Sequence, residues 1–314
     1  MLSSLFKKKW DPKGKHCFIT GGSAGTGLSL AILLTKKGAD VSIVARNKER
    51  LDKALSELEA VRQSPSQKLH AYSFAVDNPE GAAASLEAAA ATHDGKCPDA
   101  LFLCAGASRP SFFVEETGEG LRKGMEMTYW SQAFSALAGV KRMVKDGVKG
   151  KIVFVSSVLG YFSIVGYSTY SPGKFAIRGL AEALQSECML YDIDIHAAFP
   201  GTIFSPGLEE EQKHKPKVTL KIEETDDGAT PEVVAAGILK GVQRGNFHIT
   251  YDFIGNVFRA STRGSSPGNN VFVDTIYGLI GWIALPIWRK TVDSTVRAHR
   301  AEHLESLRQK GLVA

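Results

Sequence analysis

The 314-residue sequence predicts an α/β fold in which a doubly wound parallel sheet is followed by a hydrophobic C-terminal extension. From Lys15 to about Ile203, short β-branched runs alternate with longer helical patterns, which is typical of successive βαβ units. A glycine-rich stretch lies directly between the first strand and the first helix. Residues 271–288 form the most apolar segment of the chain and lie beyond the region of alternation.

Six compact apolar runs are the predicted strands, each of the kind expected in a sheet that is covered on both faces. In chain order they read HCFIT, DVSIVA, HAYSFAV, DALFLCA, KIVFVSS and DIHAAF. Helices are predicted between them, where apolar side chains recur at helical spacing. Two of these helices carry the apolar stripes Leu51, Leu55 and Leu58, and Phe175, Leu180 and Leu184.

The regular alternation ends after the sixth strand. Residues 207–230 form a charged stretch whose length predicts a mobile loop or a lid. The run PEVVAAGILKGVQRG, which follows it, has a helical pattern, and a basic amphipathic helix is predicted from Arg289 onward.

Composition and charge argue against several classes of protein. The net charge is +5, but Lys and Arg are spread along the chain rather than gathered into one arm, so no nucleic-acid partner is expected. The four cysteines form no CxxC pair, which favours a reducing compartment over a disulfide framework. The first ten residues, MLSSLFKKKW, become basic too early for a signal peptide, so the chain is expected to face the cytosol.

No metal site is expected. His299 to His303 reads HRAEH, which matches the H-x-x-E-H pattern of a zinc peptidase family. It lies in an Arg-rich terminal helix without an obvious further ligand, so the match is rejected. His214 and His248 are expected to be surface or loop residues.

The glycine-rich stretch, FITGGSAGTG, predicts a dinucleotide site. Glycines permit the tight turn and a close approach of backbone to a pyrophosphate, whose charge then lies at the N-terminus of the following helix. The residues predicted to contact it are Gly21, Ser23, Ala24, Gly25 and Gly27. The alternative is a purely structural glycine turn, which the position after the first strand disfavours.

The residues after the second strand indicate which dinucleotide binds. An acidic residue about 20 positions beyond the glycines would hold the ribose hydroxyl of NAD, but this chain has Arg46, Asn47 and Lys48 there. An Arg can hold a 2′-phosphate with two hydrogen bonds, so the predicted cofactor is NADPH. Solvated charges at a helix start are the alternative. Asp77 is predicted to accept from the adenine amine, or else to be only a helix N-cap.

The stretch YSTYSPGK contains two tyrosines and a lysine. On a helix, Tyr170 and Lys174 would be neighbours because they are four residues apart, whereas Tyr167 lies about two turns from Lys174. A phenol beside an ammonium is suited to proton transfer, since the cation stabilises the phenolate and lowers the pKa of the phenol. A turn with Pro172 in the first helical turn and packing tyrosines is the alternative.

The glycine spacing Thr-Gly-x-x-x-Gly-x-Gly resembles that of the short-chain dehydrogenases/reductases, whose active-site signature is Tyr-x-x-x-Lys preceded by a serine. Tyr170 and Lys174 match this signature, and Ser157 lies 13 residues before Tyr170, as is typical of the family. The resemblance implies that Tyr170 donates a proton to a carbonyl oxygen, that Ser157 hydrogen-bonds this oxygen, and that Lys174 also binds the nicotinamide ribose. Tyr167 is then expected to pack or to form a pocket wall.

The resemblance extends over about residues 15–245. In LCAG, Ala105 and Gly106 stand where the family usually has the end of Asn-Asn-Ala-Gly, and PGTIFS resembles the family's loop on the nicotinamide side. It implies that Ile203 contributes its backbone there and that Thr202 or Ser205 contributes a hydroxyl.

Two departures from the family pattern concern the active site. Thr128 stands in place of the family's helix-borne Asn, which puts the usual proton relay in doubt. Pro172 and Gly173 replace the usual Ala-Ser, and a glycine weakens the helix that positions Lys174.

Together these features predict three regions: a basic N-terminal lead over 1–14, a Rossmann-like NADP-binding catalytic domain over 15–250, and a hydrophobic segment with a basic amphipathic helix over 251–314. The resemblance is strongest to reductases of a long-chain amino ketone in sphingolipid synthesis. It implies a lipophilic ketone substrate, a membrane surface as partner, a homo-oligomer (dimer or tetramer) and the cytoplasmic face of the endoplasmic reticulum. The alternatives are reduction of a steroid or retinoid, or a non-catalytic NADPH-binding scaffold or sensor.

Residues 271–288 would span ~27 Å if wholly helical, just short of a bilayer core. Gly278, Gly281 and Pro286 are expected to bend the segment. We therefore expect it to dock at a membrane interface or to form a shallow re-entrant hairpin. The alternative is a helix that covers a pocket or a dimer interface.

Overall fold

A parallel sheet forms the centre of the protein, as a computed structural model that describes residues 9–224 and 226–313 shows. The strands in these ranges are β1 (His16–Thr20), β2 (Asp40–Ala45), β3 (Leu69–Ser73), β4 (Ala100–Leu103), β5 (Lys151–Val155), β6 (Asp194–Ala198) and β7 (His248–Ile249). Their spatial order is β3-β2-β1-β4-β5-β6-β7, and every pairing is parallel. All six predicted strands are confirmed. The two-residue β7 was missed because it is too short for a periodic signal, and residues 1–8 of the predicted basic lead lie outside the described residues.

Helices cover both faces of the sheet. Those in the described part of the chain are α1 (Gly25–Lys36), α2 (Lys48–Ala60), α3 (Pro79–Ala91), α4 (Gly118–Met125), α5 (Ser131–Asp146), α6 (Ser171–Glu187), α7 (Pro206–Gln212), α8 (Lys217–Ile222), α9 (Pro231–Arg244), α10 (Phe253–Ser261), α11 (Val271–Ala298) and α12 (Arg300–Gln309). One core cluster packs α1, α2 and α9 against the sheet, and a second packs α3, α5 and α6 against it. The predicted doubly wound, Rossmann-like fold is therefore confirmed.

The strand order reverses between β1 and β4. In open α/β sheets, ligands bind at such a switch point, beyond the carboxyl ends of the strands. The glycine stretch follows β1, residues 104–106 follow β4, and Ser157 follows β5. All the predicted site segments therefore meet at one edge of the sheet.

The charged region 207–230 differs from the prediction of a mobile loop because it contains α7 and α8. Ser205 caps α7 by accepting from the backbone N–H of Leu208, and Pro206 occupies the first helical position. Thr219 in α8 donates to the carbonyl of Val165 at 3.0 Å. The described part of this segment, which we name the lid, therefore contains two short helices, and α8 contacts the loop before Tyr170.

The expected hairpin over 271–288 is wrong, since α11 runs as a continuous helix through Gly278, Gly281 and Pro286. Gly281 serves helix packing rather than a bend. A Cβ at this position would lie 1.8 Å from Oγ of Ser261 in α10, so only glycine lets the two helices approach this closely.

A buried ion pair fixes the first turn of α11 to α10. Arg259 donates to the Asp274 carboxylate at 2.6 Å, and both side chains are almost fully buried. Asp274 also accepts from the backbone N–H of Asn269 at 3.0 Å. The carboxylate that interrupts the apolar run is therefore a structural anchor. The predicted helix from Arg289 onward is divided between the end of α11 and α12.

Candidate active site

The glycine stretch forms a cradle that fits a dinucleotide. Gly21 and Gly25 have φ values of +68° and +53°, which other residues rarely adopt. A Cβ at Gly27 would lie 2.3 Å from the carbonyl oxygen of Gly21. Ala24 is the N-cap of α1 and makes no side-chain cap, and Ser23 precedes it in the turn. The first turn of α1 has no acidic residue, so its N–H groups remain available for a pyrophosphate.

The residues after β2 place a cation beside this cradle. The side chain of Arg46 is 75% exposed, and its Nη1 lies 3.6 Å from the Asp77 carboxylate. Such exposed pairs contribute little to stability, so the guanidinium remains free to bind a phosphate. The Asn47 side chain instead caps α2 by accepting from the backbone N–H of Arg50. Lys48 is the first residue of this helix. Asp77 is not an N-cap, because Asn78 caps α3.

The three predicted catalytic residues meet at the ends of β5 and α6. Ser157 lies two residues beyond β5, and Tyr170 immediately precedes α6. The Ser157 hydroxyl lies close enough to the Tyr170 phenol to lower its pKa. The Lys174 ammonium lies 5.4 Å from the centroid of the Tyr170 ring, one helical turn away. The structure therefore brings together a phenol, a hydroxyl and an ammonium, as the spacing predicts.

Burial dominates the electrostatics of this site. It lowers the pKa of Lys174 to about 8, so the ammonium is still mostly charged at neutral pH. Burial raises the pKa of Tyr170 above its ordinary value, the Glu211 carboxylate raises it further, and the bond from Ser157 opposes both. The pKa of Tyr170 is therefore raised rather than lowered as expected, and Lys174 is not among the groups that shift it. Desolvation of the phenolate dominates, so the phenol stays protonated at neutral pH.

Gln132 holds Lys174 indirectly. The Lys174 ammonium donates to the Val155 carbonyl at 3.0 Å, and the buried Gln132 side chain donates to the same oxygen at 2.8 Å. Gln132 also accepts from the Val155 N–H at 3.1 Å. Sequence reasoning missed this residue. The sequence feature that could have indicated Gln132 is an uncharged polar side chain on the buried face of α5, four residues after Thr128.

The two departures from the family pattern are in direct contact. Thr128 lies in a π-helical turn, Glu126–Trp130, and its hydroxyl donates to the Gly124 carbonyl at 2.6 Å. A Cβ at position 173 would lie 1.8 Å from Oγ1 of Thr128. Gly173 is therefore required because Thr128 occupies the space in which a side chain at 173 would lie.

Tyr167 is buried, as expected, and its hydroxyl joins the lid to the active site. This oxygen lies 2.8 Å from Oε1 of Glu211 and 2.7 Å from Oε1 of Glu223. The phenol has a single proton, so it can donate to only one of the two carboxylates at a time. Lys215 bridges the same two carboxylates at 2.9 and 2.6 Å. The Tyr167 ring lies 5.8 Å from that of Tyr170. No local spacing indicates this network, because its members come from distant parts of the chain.

The remaining predicted cofactor residues surround the same edge. The Ala105 N–H donates to the Thr20 hydroxyl at 3.2 Å, and a Cβ at Gly106 would lie 3.7 Å from the Lys174 ammonium. Ile203 pairs with Ala229 in a short parallel bridge.

The loop after β6 closes onto the glycine stretch. Ser205 comes within 3.7 Å of where a Cβ at Gly25 would lie. Ser205 therefore borders the cradle, although its hydroxyl caps α7.

The histidines contribute no metal centre. Within the described residues, no group of three or more His, Cys, Asp or Glu side chains is arranged to hold a metal ion. In HRAEH, His303 packs on the ring of Phe112, with the ring centroids 4.0 Å apart. His248 is buried in β7, which contradicts its expected surface position, and burial lowers its pKa to about 3.

Comparison with known proteins agrees with this geometry. The family model of the short chain dehydrogenases matches residues 15–216. A 3-ketodihydrosphingosine reductase of Cryptococcus neoformans is 42% identical over 97% of this chain and 91% of its own length. A 3-dehydrosphinganine reductase of Danio rerio is 36% identical over 86% of this chain and 81% of its own, and a 3-ketodihydrosphingosine reductase of Dictyostelium discoideum is 31% identical over 87% and 86%. This chain therefore belongs to the short-chain dehydrogenase/reductase family and is an oxidoreductase.

Proposed function

We propose that this protein reduces 3-ketodihydrosphingosine to dihydrosphingosine in sphingolipid synthesis, with NADPH as the reductant. The observation that carries the proposal is the convergence of Ser157, Tyr170 and Lys174 in a chain that matches relatives named for this activity over most of its length. A non-catalytic scaffold would have no use for a half-buried phenol placed between a serine hydroxyl and a lysine ammonium.

The arrangement supports ketone reduction as follows. The nicotinamide, when bound, supplies a hydride to the carbonyl carbon. Tyr170, protonated at neutral pH, gives its proton to the ketone oxygen, and Ser157 donates a hydrogen bond to that oxygen. Lys174 opposes the charge that remains on the phenolate. Gln132 and the Val155 carbonyl keep the ammonium in place throughout.

The choice of NADPH rests on the charges after β2. Arg46 and Lys48 supply cations where a carboxylate would select NAD, and Arg46 is solvent-accessible. A guanidinium can pair with a 2′-phosphate through two charge-assisted bonds. The neighbouring Asp77 orients the guanidinium and is available to the adenine amine.

We propose that the protein is attached to a membrane, at the cytoplasmic face of the endoplasmic reticulum; the C-terminal helix supports the membrane contact. Among the described residues, α11 is the one helix long and apolar enough to cross a membrane, and only 11% of its most apolar stretch is buried. The Arg259–Asp274 pair would have to break for α11 to leave α10 and span a bilayer. The helix is therefore proposed to lie on the membrane surface with its apolar side chains in the interface.

A homo-oligomer, dimer or tetramer, is also proposed. Large apolar side chains remain exposed on α5 and α6, which lie next to each other on one face of the sheet. These are Leu137, Val144 and Phe175. A second copy of the chain would cover them.

The test is an assay of NADPH consumption by the purified protein with 3-ketodihydrosphingosine in detergent micelles, with dihydrosphingosine identified as product. We expect turnover with NADPH and much slower turnover with NADH. An Arg46→Glu variant should lose tenfold or more of that preference, since a charge-assisted bond contributes about 1.5–3 kcal/mol. Reduction of a steroid or retinoid carbonyl group, but not of the amino ketone, would overturn the proposed substrate. Binding of NADPH without turnover of any ketone would favour the scaffold.

A further inference from the structure

The lid carries more negative than positive charge on the side that faces Tyr167. Glu211 of α7 and Glu223, which follows α8, both pair with Lys215, at 2.9 and 2.6 Å. The Lys215 side chain is 2% exposed, and the two carboxylates are mostly buried. In the part of the chain that the structure describes, no second cation pairs with either carboxylate. These three side chains, which we name the lid charge cluster, therefore have two anions for one cation.

The excess charge of the lid charge cluster is not neutralised by its other neighbours. The Tyr167 hydroxyl donates a hydrogen bond to the cluster, but a neutral phenol supplies no positive charge. Burial raises the pKa of the nearby Asp226 carboxyl, and the negative charge of Glu223 raises it further. A mostly buried charge without a full counter-charge costs free energy. The cluster is therefore complementary to one more cation.

The Glu211 carboxylate acts on the reacting phenol itself. Its Oε1 lies 2.8 Å from the Tyr167 hydroxyl, and the Tyr167 ring lies 5.8 Å from the Tyr170 ring. Burial raises the pKa of Tyr170 most, and the Glu211 charge raises it further. Proton transfer from Tyr170 leaves a phenolate, so a nearby carboxylate opposes the reaction by like-charge repulsion. A cation bound at Glu211 during turnover would remove this repulsion.

An amino ketone brings such a cation with it. Its amine is bonded to the carbon next to the carbonyl carbon, and in its protonated form it is an ammonium. When the ketone oxygen is at Tyr170 and Ser157, the ammonium is only a few bonds from the phenol. A ketone without an amine places no charge there. The lid charge cluster thus matches the one charged group that distinguishes the proposed substrate from other lipophilic ketones.

We infer that Glu211 is a specificity-determining residue that binds the ammonium of the amino ketone substrate. The inference rests on the proposed function and names the group that recognises the amine. Glu211 is assigned rather than Glu223 because its charge is the one that reaches Tyr170. Lys215 remains paired with Glu223 when Glu211 turns to the substrate. The bound ammonium then completes the charge of the cluster and offsets the repulsion between Glu211 and the forming phenolate.

The first test compares a 2-amino-3-ketone with the 2-hydroxy-3-ketone of the same chain length. We expect Glu211→Gln to lower kcat/KM for the amino ketone about tenfold or more, because a charge-assisted bond is lost. For the hydroxy ketone, kcat/KM should stay the same or rise, since the carboxylate that opposes the phenolate is gone. Glu210→Gln is the matched control, because this neighbouring side chain is 63% exposed and pairs with Lys213. It should leave both values unchanged. Equal losses for the two ketones in Glu211→Gln would overturn the inference.

The second test needs no turnover. Calorimetry measures the binding of dodecylamine and of 1-dodecanol, below their aggregation concentrations, to the protein loaded with NADP⁺. The wild type should bind the amine at least tenfold more tightly, and Glu211→Gln should bind the two alike. Equal binding of both ligands by the wild type would overturn the inference even if the amino ketone is reduced. The expected preference without reduction of any ketone would instead refute the proposed function and retain the amine site. The wild-type comparison also decides if Glu211→Gln fails to fold.

Discussion

At the scale of single residues, the active site depends on contacts that reach beyond its three reacting groups. Thr128 and Gly173 are a matched pair, because the hydroxyl of one fills the space that a side chain at the other would need. Gly173 lies immediately before Lys174 in the first turn of α6. A shift at 173 would therefore move the ammonium relative to Tyr170.

We predict that Gly173→Ala lowers the free energy of unfolding by about 1–3 kcal/mol, the usual cost of overpacking, and lowers kcat as well. Gly179→Ala is the control in the same helix. A Cβ there meets nothing within 4 Å, so helix propensity alone should make it neutral or stabilising by up to about 1 kcal/mol.

Adding Thr128→Ala to Gly173→Ala should recover part of both losses, because it removes the atom 1.8 Å from the new Cβ. Denaturant unfolding and steady-state kinetics of the wild type, the two single variants and the double variant would measure this coupling. Strictly additive effects of the two substitutions would show that the contact is not what requires glycine.

The sequence predicted that Ser157, Tyr170 and Lys174 come together, but it did not predict their environment, for a physical reason. Ser157, Tyr170 and Lys174 follow from spacing, since a helix fixes the last two and parallel strands bring the first to the same edge. The direction of the Tyr170 pKa depends on how many atoms exclude water, and the Tyr167 network joins residues far apart in the chain. Neither leaves a local pattern.

At the scale of secondary-structure elements, α11 combines an anchored beginning with an exposed apolar body. Asp274 and Gly281 fix it to α10, while Phe272 and Trp282 are 84% and 77% exposed. The sequence indicated an apolar segment and its breakers but not its shape. Gly281, which was expected to bend the segment, makes a packing contact, and the Asp274 carboxylate within the apolar run is half of an ion pair.

We predict that Phe272→Glu/Trp282→Glu reduces binding to anionic liposomes at least tenfold, since burying each aromatic side chain contributes about 1.5–3 kcal/mol. Both side chains are exposed, so the double variant should fold and keep its turnover of a short-chain ketone. Leu190→Glu, which is 79% exposed and lies outside α11, should bind liposomes like the wild type. Flotation in a density gradient measures the bound fraction. A double variant that still floats would place the membrane contact elsewhere.

At the scale of the whole molecule, the predicted site residues lie beyond the carboxyl ends of the strands, around the point between β1 and β4 where the strand order reverses. The glycine stretch and Arg46 follow β1 and β2 in one half of the sheet. Ser157 follows β5 in the other half, as does the loop after β6, and Tyr170 lies beside Ser157. This division was predictable because six strands have clear apolar patterns. The contacts of the segment 207–230 with Tyr167 were not predictable, because they are side-chain pairs between residues far apart in the chain.

The central claim is that Tyr170 is the proton donor in NADPH-dependent ketone reduction. The most direct measurement compares Tyr170→Phe with Tyr167→Phe and the wild type in single-turnover reduction of 3-ketodihydrosphingosine, with NADPH binding followed by its fluorescence. The account predicts that Tyr170→Phe loses ~10²–10⁴ in rate with nearly unchanged NADPH binding, whereas Tyr167→Phe loses far less. A Tyr170→Phe variant that reduces the ketone at close to the wild-type rate would contradict the account.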